Sequence, residues 1–160
     1  MFVCLPLWSI AQSPCNLKKD VDEFSGKPKL SSGFFSISQG MLSIDATAAE
    51  MDYFFVVKNV KGPVCFDDES TLTFIFEGGK TKVNGRYSGD ANCQGVFHYI
   101  LKTGSITPSA LQKLSTLKLI SIVFKGKNET EYPVSLTPAE SQQILDMSNC
   151  VWTASKSLPK

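Results

Sequence analysis

Two cysteines placed symmetrically about a glycine pair constrain this chain more than any other feature. Cys65 and Cys93 lie fourteen residues either side of Gly79. The middle of that stretch reads Thr71-Leu72-Thr73-Phe74-Ile75-Phe76-Glu77-Gly78-Gly79-Lys80-Thr81-Lys82-Val83-Asn84-Gly85-Arg86-Tyr87. Leu72, Phe74 and Phe76 alternate with Thr71, Thr73, Ile75 and Glu77, the period-two pattern of a strand with one buried face. Gly78-Gly79 supplies the positive φ values that a tight hairpin turn needs. A ladder that runs to the open end of this hairpin sets Cys65 opposite Cys93.

The other cysteines take their meaning from the N-terminus. Residues 1–11, Met1-Phe2-Val3-Cys4-Leu5-Pro6-Leu7-Trp8-Ser9-Ile10-Ala11, carry no charge and are mostly apolar. The run is too short to span a bilayer as a helix, which takes roughly 20 residues. It reads as the hydrophobic and cleavage regions of a secretory signal peptide, with Ser9 and Ala11 as the small residues before a cut that leaves Gln12 first. A charged leading region is missing, and the rival reading is a buried first strand. Pro14 before Cys15 argues against lipidation. Cleavage removes Cys4 and leaves Cys15, Cys65, Cys93 and Cys150. Four cysteines in an exported chain point to two disulfides, with three possible connectivities. The hairpin spacing favours Cys65 with Cys93. Cys15 with Cys150 would then tie the mature N-terminus to the last helix. A zinc site is the competing use, but there is no Cys-x-x-Cys pair and only one histidine, so neither metal nor other cofactor is expected.

The chain has 160 residues, 42% of them apolar, which suits one domain with a real core. Its boundaries are read as 12–152, with a mobile polar tail over 153–160. A net charge of +1 argues against a nucleic-acid partner, which calls for a basic face. Pro14 to about Ser32 is polar, with Leu17, Val21 and Phe24 as its apolar anchors and Gly26 and Pro28 as breakers. Phe34 to Ala46 reads as a second hairpin turning at Gln39-Gly40. Asp52 to Lys58 is apolar on both faces, as in a doubly covered central strand. Gly95 to Leu101 and Leu117 to Phe124 are further strands, and Pro133 confines Tyr132 to Leu136 to an edge or a strand end. Thr107-Pro108 predicts a cap and first turn for a short helix. Thr137-Pro138-Ala139-Glu140 is a capping box, and Ile144, Leu145, Met147 and Val151 follow at helical spacing. The fold class expected is α+β: a mostly antiparallel, curved sheet of about eight strands with a short helix and a C-terminal capped helix.

Chemistry is harder to find. Gly79-Lys80-Thr81 matches the end of a phosphate loop, but position 74 is Phe rather than Gly and the segment is a hairpin. His98, the only histidine, lies in a strand beside Phe97 and Tyr99. It is either structural or a general acid/base awaiting a carboxylate. Asp20, Asp22, Glu23 and Asp67, Asp68, Glu69 are either solvated turns or halves of a calcium site, although neither has the spacing of a calcium loop. Asn128-Glu129-Thr130 is a glycosylation sequon, meaningful in a eukaryotic secretory host. The chain contains no nucleophile elbow, metalloprotease helix or nucleotide fingerprint.

At Asp22-Glu23-Phe24-Ser25-Gly26-Lys27, shortly after Cys15, the chain resembles a family of small exported proteins of Gram-negative bacteria with a Cys…Asp-Glu-Phe-(Thr/Ser)-Gly opening. Phe76-Glu77-Gly78-Gly79 and the run Leu145 to Val151 fall where the resemblance places a strand pair with a glycine turn and a helix ending near a cysteine. The resemblance implies an exported chain of this fold and carries over no active-site residue.

The functional expectation is a non-enzymatic periplasmic or secreted protein that binds a protein or envelope partner, with no transmembrane segment in the mature chain. The alternative is a small secreted hydrolase using His98 and an unidentified carboxylate. The first predicts an exposed aromatic patch, with Phe34-Phe35 as the candidate. The second predicts a concave pocket holding His98 within reach of Asp or Glu. A calcium module predicts that the two acidic clusters meet.

Overall fold

The computed structural model describes residues 15–160. The leader, Cys4 and the cut before Gln12 lie outside the described residues. Among the described residues the fold is α+β and mostly sheet, with ten strands in two antiparallel sheets and two α-helices. The first sheet holds β1 (Lys18–Val21), β2 (Pro28–Ser31), β3 (Phe35–Ile37), β4 (Gly40–Ala46), β5 (Glu50–Val57) and β8 (Val96–Lys102). The second holds β6 (Thr71–Phe76), β7 (Lys82–Arg86), β9 (Leu119–Lys125) and β10 (Glu131–Ser135). Their orders are β1-β2-β4-β5-β8, with β3 also against β4, and β10-β9-β6-β7. The expected single sheet of about eight strands is thus two layers, because the chain changes layer after β5, after β7 and again after β8.

Period-two patterning explains the layers. Met51, Tyr53, Phe55 and Val57 of β5 are buried, as are Phe97, Tyr99 and Leu101 of β8. Leu72, Phe74 and Phe76 of β6 and Ile122 and Phe124 of β9 are buried from the other side. The two inner faces meet through aromatic rings: Phe55 packs edge-on to Phe124 at 5.1 Å and Phe97 to Phe124 at 5.2 Å. β5 is central, between β4 and β8, but it is not doubly covered. Phe54 and Val56 on its outward face are only half-buried, because the last helix does not lie over them.

The hairpin forms as its sequence requires. Gly78 and Gly79 take φ of 85° and 71°, and Thr71 to Ile75 pair with Arg86 to Lys82. Beyond that ladder an isolated bridge joins Phe66 to Asn92, one residue inside the Cys65–Cys93 disulfide. The second disulfide joins Cys15 to Cys150 across 135 residues.

The last helix, α2 (Pro138–Ser155), runs two residues past Thr153, where the sequence reading begins the tail. It packs against β2 and β4 of the first sheet and against β9 of the second. Ser141, Ser148 and Ser155 recur every seven residues along it and are all buried. These small side chains let the helix approach closely, and each is satisfied: Ser141 donates to the Leu119 carbonyl, Tyr53 donates to Ser148 at 3.0 Å, and Ser155 donates to the Trp152 carbonyl. Burial pushes the Tyr53 phenol well above its ordinary pKa, against a smaller lowering by Ser148. The phenol therefore stays a neutral donor.

The capping box is complete. The Thr137 hydroxyl accepts from Glu140 N–H at 3.2 Å, and the Glu140 carboxylate accepts from Thr137 N–H at 3.0 Å and from Ser38 Oγ–H at 2.7 Å. Thr137→Ala is expected to cost about 1 kcal/mol, read as a lowered denaturation midpoint; an unchanged midpoint would remove the cap from the account. Partial burial opposes ionisation of Glu140, but the bonds from Thr137 and Ser38 outweigh it and hold its pKa below the ordinary value. A lowered carboxyl pKa stabilises the fold above the unfolded value, about 4.3, and that contribution is lost as pH falls through the folded one. Glu140→Gln should accordingly lose less stability than the parent between pH 6 and pH 3. Equal losses in the two proteins would contradict it.

The short helix α1 (Ser109–Leu114) starts one residue later than Thr107-Pro108 suggests. Pro108 is itself the cap, extended at ψ 142°, and its carbonyl accepts the first helical bond from Gln112. A proline fixes φ but leaves ψ free, so it serves outside the helix as readily as at its first position.

Candidate functional site

The outward face of the first sheet brings together ionisable side chains from β4, β5 and β8. The β5–β8 register sets Phe54 opposite His98 and Asp52 opposite Ile100, so Asp52 and His98 are diagonal neighbours. The imidazole stacks on the Phe54 ring, centroids 3.9 Å apart and planes 12° from parallel. His98 Nε2 lies 3.7 Å from Asp52 Oδ1, close enough for an ionic attraction and too far for a hydrogen bond. Both atoms are shielded from solvent and neither has a hydrogen-bond partner, although the two side chains as wholes remain 20% and 15% exposed.

One strand over, Asp45 is buried and stands directly opposite Asp52. Like charges in that relation repel. Asp45 is compensated by β2 and by its own strand: Ser31 and Ser43 donate to its Oδ1 at 2.6 and 2.9 Å, and Lys29 Nζ sits 3.4 Å from Oδ2. At the end of the same face Lys102 pairs with Glu50. Sequence reasoning found His98 but not Asp52 or Asp45. The available signal was an ionisable residue inside an otherwise apolar strand at each position.

This face is not the concave pocket that hydrolysis through His98 predicts. A hollow of about 960 Å³ runs along α2, lined by Cys15, Ala139, Gln143 and Met147 among others. Another of about 430 Å³ is lined by Asp67, Glu69, Lys125 and Glu129. Neither contains His98 or Asp52. The row that holds His98 continues through Phe54 to Ser43, so the phenyl ring stands between the imidazole and that hydroxyl.

The two acidic clusters do not meet. Among the described residues no three His, Cys, Asp or Glu side chains are grouped to hold a metal ion. Each cluster instead carries a turn held by one aspartate, Asp22 in the first and Asp67 in the second. Asp67 Oδ1 accepts from Glu69 N–H and from the Ser70 hydroxyl. Asp22 Oδ2 accepts from the Ser25 hydroxyl and from Ser25 N–H at 2.8 Å. These bonds, the side-chain one first, hold the Asp22 carboxyl below its ordinary pKa.

The Asp22 turn carries the most exposed aromatic ring among the described residues. Gly26 closes the turn at φ 67°, with Gly26 N–H bonded to the Asp22 carbonyl and Asp22 N–H to the Lys27 carbonyl. Phe24, at the tip of the arm formed by β1 and β2, is 99% exposed, and Val21 below it is 56% exposed. The sequence reading makes both anchors of the core. They are not, because β1 pairs only with β2 and all four of its residues face solvent; Leu17 alone of the three packs on the core. Of the expected Phe34-Phe35 patch, Phe34 is exposed while Phe35 leans on the core. Val60 and Ile106 are exposed singly in loops.

Among the described residues no helix is long and apolar enough to cross a membrane. Compared with protein-family models, curated proteins and solved structures, the chain matches none.

Proposed function

We propose that this chain is a non-enzymatic exported protein, periplasmic or at the cell surface, that binds a protein partner through the arm formed by β1 and β2. One observation carries the reading: a phenyl ring held almost wholly in water by a hydrogen-bonded turn. Burying Phe24 in a partner's pocket is worth about 1.5–3 kcal/mol. That is the scale of an interface hot spot, and it is well short of what stable membrane anchoring needs. Export is supported by the signal-like leader and by two disulfides, which suit an oxidising compartment.

A second reading, a small hydrolase with Asp52 as the carboxylate beside His98, is favoured by the 3.7 Å approach of those two side chains. It needs a nucleophile or an activated water at an Nε2 that solvent does not reach.

The two readings separate in one experiment on the disulfide-intact protein. Parent, Phe24→Asp and His98→Ala proteins are immobilised at equal density, and the binding isotherm of partner recovered from the native host's envelope is measured on each. Phe24→Asp should weaken binding roughly ten- to a hundredfold, with His98→Ala unchanged. Unchanged binding by Phe24→Asp would sink the arm as the contact. A loss confined to His98→Ala would move the site to the sheet face.

A further inference from the structure

We draw no further inference here: the strongest candidate, the outward face of the first sheet where Asp52 Oδ1 and His98 Nε2 lie shielded without hydrogen-bond partners, belongs to the site already described, and nothing in the structure shows what covers it.

Discussion

Replacing Cys15 and Cys150 together with alanine is expected to lower the unfolding free energy by about 4–5 kcal/mol at most. The bridge spans 135 residues, and in the chain-entropy account its effect comes from restricting the unfolded chain. The Cys65–Cys93 bridge spans only 28 residues, so the same account assigns it about 3.6 kcal/mol. Its alanine pair should therefore be the milder of the two, by about 1.4 kcal/mol. Urea unfolding of the parent and both double variants, with the slopes compared, reads the difference. The reverse order would mean that native-state packing at the Phe66–Asn92 bridge, and not loop closure, governs these disulfides. Equal losses for Cys65→Ser and Cys93→Ser, taken singly, are the complementary sign of a pair.

Phe124→Ala should cost about 3–5 kcal/mol. The ring is fully buried in β9 and touches Phe55 and Phe97 of the facing sheet and Phe66 from the segment before β6. Its removal opens a cavity between the layers and also loses edge-to-face contacts worth about 0.5–1.5 kcal/mol each. Val60→Ala is the matched control. That side chain is fully exposed, so its loss should stay within about 0.5 kcal/mol. If thermal unfolding shifts equally in the two variants, the layers are not joined through Phe124.

What could be read from the residues was what neighbouring residues decide. The glycine pair, the alternation of Leu72, Phe74 and Phe76, and the Thr137–Glu140 box are local, and each folds as its chemistry directs. Long-range pairing was not legible. Nothing near Phe54 indicates that His98, more than forty positions away, will stack on it, because that contact depends on the register of β5 against β8. Nor does the text around Ser121 announce that β9 will pair with β6 and so form a second layer. Phe24 shows the opposite failure. An aromatic residue in a polar stretch reads as an anchor because burial is the usual fate of such a ring. The Asp22–Ser25 turn that denies it burial is written in small polar residues whose hydrogen bonds appear only in three dimensions. The site on the sheet face was half legible for the same reason: its histidine stood alone in the sequence, while its carboxylates became neighbours only through strand order.

The bridge between Cys15 and Cys150 also sets how the molecule answers a pull. Tension entering ahead of Cys15 and leaving beyond Cys150 passes from sulfur to sulfur and bypasses every strand between them. Under load the protein behaves as an inextensible link, with its two anchor Cα atoms 6.3 Å apart. Reduction of that single bond would release roughly 350 Å of contour length, the Cys65–Cys93 loop staying closed, turning a link into a tether.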